Sequence, residues 1–432
     1  ILSRSEIIYN KDFHKASFPF EQSYYIEAPT PKDMPLYITD TKQLEEFVAF
    51  ARTCDVVAID TEFLRERCYW AKLCLIQLGT DERSVVVDPL KVRDLSPLRD
   101  LMIDTSVVKV FHAATQDLDI LFHELDVMPD PIFDTQVAAA LLGQTVQVGY
   151  GTLVLNECGV RLKKADSFTD WARRPLSSSQ INYALEDVVY LPRIYRQLTE
   201  RLEALGRASW LEHDFAELVD PSRYRVDPEN RWRHLKNVNQ LSGRQLACAK
   251  HVAAWRERKA MERNIPRKAV LSDVQIVEIC RREPRSIDDM FMVRGVASAL
   301  STKEARDVLS ACKKGLETPD DECPSLARAP RGEQNVDAQT ALLAALVHQR
   351  ARENSIAFSA ITSNAELARI ARGHTDDCDL LKGWRRAIAG KDVLKLMAGK
   401  FTLTIKDGQL RVSKRRLRSG KPKDPTELSA AV

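Results

Sequence analysis

The amino-acid sequence predicts an α/β domain, built on a mixed sheet flanked by helices, followed by two small all-α domains. In the first half of the chain, short apolar strands alternate with segments of helical periodicity, which is the pattern of a sheet covered by helices. Two predicted strands, Lys72–Leu78 and Ser84–Val87, are separated only by the turn Gly79–Glu82, so we expect them to be antiparallel neighbours. After Asp220–Pro228 the pattern becomes helical.

Each element of the α/β domain follows from its local pattern. Apolar runs bounded by turn residues indicate strands, and apolar residues spaced three and four apart, such as Leu44, Phe47 and Val48, indicate helices. Ser177–Ser179 is typical of a helix N-terminus, and Pro192 predicts a break in the helix that follows. We predict strands at Pro35–Thr39, Val56–Ile59, Lys72–Leu78, Ser84–Val87 and Val107–Phe111, and helices at Thr41–Ala51, Leu95–Met102, Thr115–Leu125, Asp134–Leu142, Thr152–Glu157 and from Ser177 to Leu205.

The composition excludes several classes of protein. The chain has 432 residues, of which 44% are hydrophobic and 29% are charged, with 64 Lys and Arg against 61 Asp and Glu. These values are typical of a globular protein of several domains, and no apolar run approaches the roughly 20 residues of a membrane helix. Nine scattered cysteines without a C-x-x-C pair favour reduced thiols over disulfides or a zinc site. We therefore predict a cytoplasmic protein that does not associate with membranes.

Positive charge is concentrated behind the α/β domain. Residues 228–316 contain 19 Lys and Arg against 10 Asp and Glu, and six basic residues lie between positions 414 and 423. A basic module in a near-neutral chain favours a polyanionic partner, although a solvated helical surface is the simpler explanation of any single run. We predict a lead-in at 1–33, the α/β domain at 34–220, a helical domain at 228–316, a linker at 317–333, a second helical domain at 334–412 and a basic tail at 413–432.

Four carboxylates and a tyrosine lie close to predicted strand ends or share a helix face. Asp60 and Glu62 follow the second predicted strand, and residues two apart in a strand face the same side. Asp117 stands in the first turn of a predicted helix, and Tyr183 and Asp187 share one face of another. Each feature alone also has an ordinary explanation: a strand end in solvent, an acid that complements a helix dipole, or a chance pair.

Together these residues predict a metal site. At about 4 Å, each pair of carboxylates would repel by about 4 kcal/mol at an effective dielectric constant near 20. Such a cluster is stable only with cations between its members, and oxygen ligands without His or Cys favour Mg²⁺ or Mn²⁺ over Zn²⁺. Two such ions, roughly 3.5–4 Å apart, would stabilise the attacking and leaving oxygens of a phosphoryl transfer.

The order and spacing of these residues resemble the three exonuclease motifs of the DEDD superfamily, in the branch that has a tyrosine. The neighbouring sequence resembles the ribonuclease D family from roughly Pro35 to Leu205, in the stretches Asp60-Thr-Glu-Phe63, Leu75-Ile-Gln-Leu78, His112-Ala-Ala-Thr-Gln-Asp-Leu118, Asp134-Thr-Gln136 and Tyr183-Ala-Leu-Glu-Asp187. The basic helical domain resembles the HRDC module from Leu241 to Pro266, and the last domain, around Trp384, resembles a second and more divergent HRDC module.

This resemblance implies a ribonuclease H-like fold and the 3′→5′ exonucleolytic hydrolysis of RNA, with release of nucleoside 5′-monophosphates. It implies that Asp60 bridges two divalent ions, that Glu62 and Asp187 belong to the ion that activates water, and that Asp117 holds the second ion. Tyr183 would orient the attacking water through its hydroxyl group. The implied partners are tRNA precursors and other structured RNA 3′ ends.

Three further residues are candidates for substrate binding. Phe63 could stack on the terminal base, Gln77 could support the site from the neighbouring strand, and His112 could contact the substrate. Core packing explains Phe63 equally well, and it is the more common role of a histidine such as His112. Trp255 and Trp384 are interpreted as core residues. The chain has no G-x-x-x-x-G-K-[ST] segment, so we do not expect it to use ATP.

Two other functions remain open from the sequence. A DNA 3′-exonuclease of the same superfamily would use the same chemistry, and the sequence does not reveal the sugar preference. A catalytically inactive nucleic-acid-binding protein is disfavoured because all five motif positions are intact. We expect a monomer, although nothing in the sequence determines the oligomeric state.

Overall fold

The computed structural model of the chain describes residues 36–162, 169–326 and 334–415. The predicted lead-in at 1–33, part of the predicted linker (327–333) and most of the predicted basic tail (416–432) lie outside these residues. Within the described ranges, no helix is both long enough and apolar enough to cross a membrane.

A six-stranded mixed sheet forms the centre of the first domain, as the sequence predicts. Its strands are β1 (Tyr37–Ile38), β2 (Val56–Leu64), β3 (Lys72–Gly79), β4 (Ser84–Val87), β5 (Val108–Phe111) and β6 (Ile132–Asp134). They lie in the order β1-β4-β3-β2-β5-β6, in which β3 is antiparallel to β2 and β4 and the other neighbours are parallel. The central strand β2 continues beyond its predicted end at Ile59 and includes the first two carboxylates of the motif set.

One strand of this six-stranded sheet is not predicted from the sequence. The helix expected at Asp134–Leu142 begins at Thr135, because Ile132–Asp134 pairs with β5 as the edge strand β6. Three residues are too few to show a periodicity of two, so this strand is recognisable only through its pairing with β5.

Helices cover both faces of the sheet: α1 (Thr41–Ala51), α2 (Ser96–Met102), α3 (Thr115–Leu125), α4 (Thr135–Ala140), α5 (Tyr150–Cys158), α6 (Ser178–Val189), α7 (Leu191–Ala204) and α8 (Leu211–Leu218). The face of β2 with Val57 and Ile59 packs with α1, α2 and α3, whereas the opposite face, with Val56 and Ala58, packs with α4, α5 and α7. The predicted break before Pro192 is confirmed, since α6 ends at Val189 and α7 begins at Leu191.

The first helical region has a compact core of its own. It contains the 3₁₀ turns Pro228–His234 and Val238–Gln240 and the helices α9 (Arg244–Arg263), α10 (Arg267–Val270), α11 (Asp273–Arg282), α12 (Ile287–Phe291), α13 (Val296–Ala299) and α14 (Thr302–Leu316). Gly315 of α14 lies so close to α9 that a Cβ atom there would stand 2.3 Å from the backbone of Cys248. The two longest helices of the region therefore cross where only glycine fits. Trp255 packs against this core, as predicted.

The second helical region ends in a hairpin that is not predicted from the sequence. Its helices are α15 (Asp337–Glu353), α16 (Phe358–Ile361) and α17 (Asn364–Ala371), followed by a 3₁₀ turn (Asp379–Leu381) and by the consecutive helical segments Gly383–Arg385, Arg386–Gly390 and Lys391–Met397. The antiparallel strands β7 (Phe401–Lys406) and β8 (Gln409–Lys414) follow. The turn residues Asp407 and Gly408 both have positive φ, and Asp-Gly between alternating apolar residues is a hairpin signal that was present in the sequence.

The loop between β2 and β3 contacts the first helical region through a polar latch, formed by Tyr69, Trp70, Glu257, Asn264 and Arg267. The backbone N–H groups of Tyr69 and Trp70 donate to Asn264 Oδ1 at 3.0 and 2.9 Å. The Tyr69 hydroxyl donates to the fully buried carboxylate of Glu257, which also accepts from Arg267 Nε at 2.8 Å. This latch holds the loop after the motif strand against the basic region.

The second helical region instead shares a hydrophobic core with the α/β domain. Apolar side chains of α15 join those of α4, α5 and α7 in one buried cluster. At its edge, the rings of Trp210 and Trp384 stack with centroids 4.8 Å apart. Arg385 donates to both carboxylate oxygens of Asp214 at 2.9 and 3.1 Å. Trp384 is therefore a core residue, as predicted, but of an interface between domains.

Replacement of Glu257 by alanine should lower the free energy of unfolding by about 3 kcal/mol. Arg231 and Arg267 would lose the buried charge that they face, and the cost lies at the low end for a broken buried pair because both arginines stay partly hydrated. Urea denaturation of the full chain measures the loss. Glu229→Ala removes an exposed partner of Arg258 and should cost less than about 1 kcal/mol. Equal losses in both variants would contradict a stabilising latch.

Candidate active site

The second half of β2 presents two carboxylates on one face of the sheet. Asp60 and Glu62 alternate with Thr61 and Phe63, so the two acids lie on the side that also includes Ala58. The ladder to β3 is regular through this stretch and shifts only between Glu62 and Phe63. β2 pairs with β5 over Val56–Ala58 and with β3 over Ala58–Leu64, so pairing with β3 holds the backbone of both carboxylates in place.

Asp117 reaches the same place from the first turn of α3. Its Oδ1 atom accepts a hydrogen bond from Thr61 Oγ1 at 2.5 Å, which ties α3 directly to β2. The turn before α3 is held by Asp134, whose carboxylate accepts from the backbone N–H groups of Ala113 at 3.2 Å and Ala114 at 2.8 Å. Ala113 has φ of 61°, a conformation that needs such support in a residue other than glycine. This supporting role of Asp134 is not predicted from the sequence.

Helix α6 supplies the remaining two motif residues. Ser177 caps this helix, with its side chain and that of Gln180 forming a reciprocal capping box. Tyr183 and Asp187 are four residues apart and face the same side, as predicted. The ring of Tyr183 stacks on Trp171 with centroids 6.1 Å apart, which fixes the direction of its hydroxyl group.

The pKa values show that the four carboxylates share one environment. Burial raises the pKa of Asp60 well above its usual range, and the negative charges of Asp117, Asp187 and Glu62 raise it further. Burial and then the charges of Asp187 and Asp117 raise the pKa of Glu62 to about 8. Burial raises the pKa of Asp117 and of Asp187 to about 7. The structure therefore brings together the residues that the sequence predicted as a cluster.

This donor set fits a hard divalent cation by its chemistry. All four groups supply oxygen atoms, and burial raises the pKa of each, with neighbouring negative charges raising those of Asp60 and Glu62 further. A hard cation with oxygen ligands would stabilise their charged forms. In the arrangement seen here, Thr61 engages one oxygen of Asp117. Across the described ranges, no three His, Cys, Asp or Glu side chains are grouped closely enough to hold a metal ion as they stand. Metal binding would require these side chains to move toward each other.

The three candidates for substrate binding have different surroundings. Gln77 lies opposite Asp60 in the β2–β3 ladder and on the same face, fully buried, with no hydrogen-bond partner for its amide group among the described residues. Phe63 is partly buried on the other face, with the Arg65 guanidinium 5.6 Å from its ring centre. The ring nitrogens of His112 contact Thr135 Oγ1 at 2.9 Å and the Val148 carbonyl at 3.0 Å.

These contacts favour a packing role for His112. Both of its ring nitrogens are engaged within the protein, and burial lowers its pKa, so the imidazole is neutral at pH 7. Its ring lies 5.6 Å from that of Tyr150, whose hydroxyl donates to the Glu186 carbonyl at 2.8 Å. Burial and the charges of Asp187 and Asp60 raise the pKa of Tyr150, which places it beside the carboxylates. Tyr150 is not predicted from the sequence, where its position at a helix start is the only signal.

Two family models match separate parts of the chain. The family model of a 3′-5′ exonuclease matches residues 35–203, and that of the HRDC domain matches residues 245–312. Ribonuclease D from Jannaschia sp. is 41% identical over 386 residues, covering 88% of this chain and 99% of the relative. Ribonuclease D from Gluconacetobacter diazotrophicus is 39% identical, covering 86% and 95%.

A solved structure agrees with both domains. The crystal structure of Escherichia coli RNase D, described as an exoribonuclease involved in structured RNA processing, superposes with a TM-score of 0.72 at 30% identity. The match covers 84% of this chain and 98% of that one, so it includes the ribonuclease H-like domain and the helical regions. The identities, the coverage and the exonuclease domain lead to one conclusion: the chain belongs to the ribonuclease D family of 3′→5′ exoribonucleases.

Proposed function

We propose that this exoribonuclease uses Asp60, Glu62, Asp117 and Asp187 to hold two divalent ions, Mg²⁺ or Mn²⁺, and that it shortens the 3′ ends of tRNA precursors and other structured RNAs. The site is supported by its geometry: Asp60 and Glu62 share one face of β2, Thr61 of β2 donates to Asp117 of α3, and the charge of Asp187 on α6 acts on both β2 carboxylates. The substrate proposal follows the structured RNA processing described for the Escherichia coli relative.

Each of these side chains would have a distinct role in hydrolysis. Bound divalent ions would supply charge stabilisation to the phosphoryl transfer and lower the pKa of a bound water. Asp60, Glu62 and Asp187 would hold the ion that activates water, and Asp60 and Asp117 the ion that stabilises the leaving 3′-oxygen. The pKa of Tyr183 is raised to about 12, first by burial and then by Asp187, so its hydroxyl stays protonated and orients water by hydrogen bonding.

Gln77 and Phe63 would assist at the edges of this site. A buried amide without partners on the same face as Asp60 can hydrogen-bond a water molecule that reaches the carboxylates. The partly exposed ring of Phe63 can stack against the terminal base. DNA is the alternative substrate, because a DNA 3′-exonuclease of the same superfamily would use the same chemistry, and the substrate assay below compares the two.

The helical regions would bind the body of the RNA. We propose domain limits of 34–220 for the exonuclease, 228–316 for the first HRDC domain and 334–412 for a second HRDC-like domain, joined by a linker at 317–333. Four basic residues of α14, Lys303, Arg306, Lys313 and Lys314, fall on one side of that helix by its periodicity, and all are exposed. Exposed basic side chains on one side of a helix suit a phosphate backbone.

Asp60→Asn should reduce nucleotide release from a 5′-labelled tRNA precursor by roughly 10³-fold or more, since a metal site supplies several kcal/mol of transition-state stabilisation. The assay follows removal of single 3′ nucleotides with Mg²⁺ or Mn²⁺, with single-stranded DNA of equal length as the competing substrate. Asp100→Asn, an exposed carboxylate of α2, is the matched control and should be as active as wild type. Near wild-type turnover in Asp60→Asn would show that the site is misassigned.

Without divalent metal, the chain should lose stability as the pH rises from about 4 to about 8. The folded-state pKa values of Glu62, about 8, and of Asp117 and Asp187, about 7, lie above their ordinary values, so the folded chain binds more protons than the unfolded chain in this window. Mg²⁺ should therefore raise the Tm more at pH 8 than at pH 5, and less in Asp60→Asn. Thermal melts with EDTA or Mg²⁺ measure this, and a pH-independent Mg²⁺ effect would oppose it.

Tyr183→Phe should lower the single-turnover rate by about 10²–10⁴-fold, because it removes a hydroxyl that positions water. The aromatic ring and its stacking on Trp171 are retained, so the Tm and its increase with Mg²⁺ should not change. Rapid-quench kinetics at saturating enzyme give the rate. An unchanged rate would assign the orientation of water to another group.

Neutralising α14 should weaken RNA binding without slowing cleavage of a short saturating oligonucleotide. The triple variant Lys303→Gln, Arg306→Gln, Lys314→Gln should flatten the slope of log affinity against log salt by about 0.7–0.9 for each phosphate that the protein no longer neutralises. Substitution is preferable to truncation because the second helical region shares a core with the exonuclease. The control changes Lys42, Arg93 and Arg99 of the exonuclease domain to Gln; if both triples have the same slope, α14 does not bind RNA.

A further inference from the structure

A pocket of about 340 Å³ lies where the exonuclease domain meets the first helical region. We call it the junction pocket; it is lined by Trp70 of the β2–β3 loop, by Asp119, Phe122, His123 and Asp126 of α3 and its C-terminal end, and by Tyr224, Arg225 and Val226 of the segment that leads to the helical region. None of the motif residues lines it. The residues that line it thus come from both the exonuclease domain and the connection to the helical region.

Four of the eight residues that line the junction pocket have aromatic rings: Trp70, Phe122, His123 and Tyr224. The rings of Trp70 and His123 are stacked, with centroids 4.0 Å apart and planes within 16° of each other. The Phe122 and Tyr224 rings have centroids 6.3 Å apart and planes tilted by 51°, and the Arg225 guanidinium lies 5.8 Å from the centre of the Phe122 ring. Tyr224 is buried, whereas His123 and Arg225 are exposed at the rim. Stacked aromatic planes with a cation at the edge are the surfaces on which proteins bind unpaired nucleobases.

The charges at the rim indicate a base and not a phosphate. Asp119 and Asp126 both line the pocket, and two carboxylates would repel a phosphate group. A carboxylate instead accepts hydrogen bonds from amino and imino groups on base edges. Asp119 already accepts from Arg65 at 2.6 Å, whereas Asp126 is exposed at the left-handed end of α3. Asp126 is therefore the acceptor available to a base edge.

The pocket is connected to the carboxylates by side chains at the end of β2. Arg65 contacts Asp119 of the pocket and also lies over the ring of Phe63, the residue next to Glu62. Along α3, six residues separate Asp117 from His123, which corresponds to about 9 Å of helix rise. An RNA strand whose 3′ end lies at the carboxylates would reach the pocket with a nucleotide upstream of the one being removed.

The polar latch sets the position of the aromatic wall. The backbone N–H of Trp70 donates to Asn264, and the ring of Tyr69 packs edge-on against Trp70 with centroids 4.7 Å apart. The wall therefore does not need to be ordered by the ligand, which reduces the entropy cost of binding.

We propose that the junction pocket binds one unpaired nucleobase of the RNA substrate, upstream of the nucleotide being removed. The base stacks on the Trp70–His123 pair, and its N–H groups donate to Asp126. This proposal rests on the exoribonuclease function and adds a subsite to it, through which the enzyme would favour 3′ extensions long enough to reach the pocket.

An abasic scan tests the proposal in the full chain. Single-stranded RNAs of one length, each lacking one base at a successive position from the 3′ end, are bound to the Asp60→Asn enzyme. We expect a 5- to 100-fold weaker Kd, the approximate value of one stacked base, at one upstream position that is separate from the 3′-terminal nucleotide. In Trp70→Leu that position should lose its effect, and Trp70→Phe should restore part of it. A flat upstream scan, or an unchanged scan in Trp70→Leu, would overturn the proposal.

Matched controls separate the pocket from general charge and from the fold. Arg225→Met should weaken binding of intact RNA at the pocket, whereas Arg223→Met, two residues away and paired with Glu217 outside the pocket, should leave binding unchanged.

If Trp70→Leu does not fold, a cross-linking experiment tests the same contact: RNA with 5-iodouridine at each position is irradiated with the wild-type chain. Cross-links to peptides with Trp70 or His123 support the pocket, and their absence opposes it. If wild type releases no 3′ nucleotides, the exoribonuclease function fails; if it does and the scan is flat, only the pocket fails.

Discussion

The withdrawal of carboxylates from water, together with their repulsion, governs how the site is built. Asp60, Glu62, Asp117 and Asp187 come from a strand and two helices. Burial raises the pKa of each, and neighbouring carboxylates raise those of Asp60 and Glu62 further. The scaffold opposes this tendency with local hydrogen bonds: Thr61 holds Asp117, and a capping box starts the helix of Asp187. Folding thus stores unfavourable electrostatic energy at one point, and the divalent cations proposed above would relieve it.

The surroundings of the site hold these acids by different means. Asp134 accepts backbone hydrogen bonds from the turn before α3, so the direction of Asp117 is set by a residue on another strand. The ring of His112 lies beside that of Tyr150, the first residue of α5. His112 contacts the Thr135 hydroxyl, and the Tyr150 hydroxyl donates to the backbone carbonyl of Glu186 in α6. Gln77 differs, because its buried amide has no partner among the described side chains and backbone groups. A buried amide that forms no hydrogen bond is costly, so solvent or substrate is the expected partner.

The two helical regions are attached to the exonuclease by unlike interfaces. The second region is joined through a shared apolar core and the stacked pair Trp210–Trp384. The first is joined through the polar latch, in which the buried carboxylate of Glu257 is surrounded by donors from both domains. Loss of one partner of such a buried pair leaves an uncompensated charge, so this interface is costly to break. The latch thereby positions one wall of the junction pocket and the loop that follows β2.

Elements that have a period, a cap or a motif could be predicted from the sequence alone. Residues Thr41–Ala51 and Thr115–Leu125 form helices with the predicted bounds, because apolar spacing acts within a few turns of the same chain. The five motif residues could also be recognised in the sequence, since alternation along β2 and the spacing of Tyr183 and Asp187 are local patterns. Features that depend on distant partners became visible only in the folded chain. Strand β6 forms by pairing with β5, and His112 is held by contacts with Thr135 and Val148. The junction pocket is lined by residues from three separate segments of the chain. Local periodicity contains no information about such contacts, because they join residues that are far apart in the sequence.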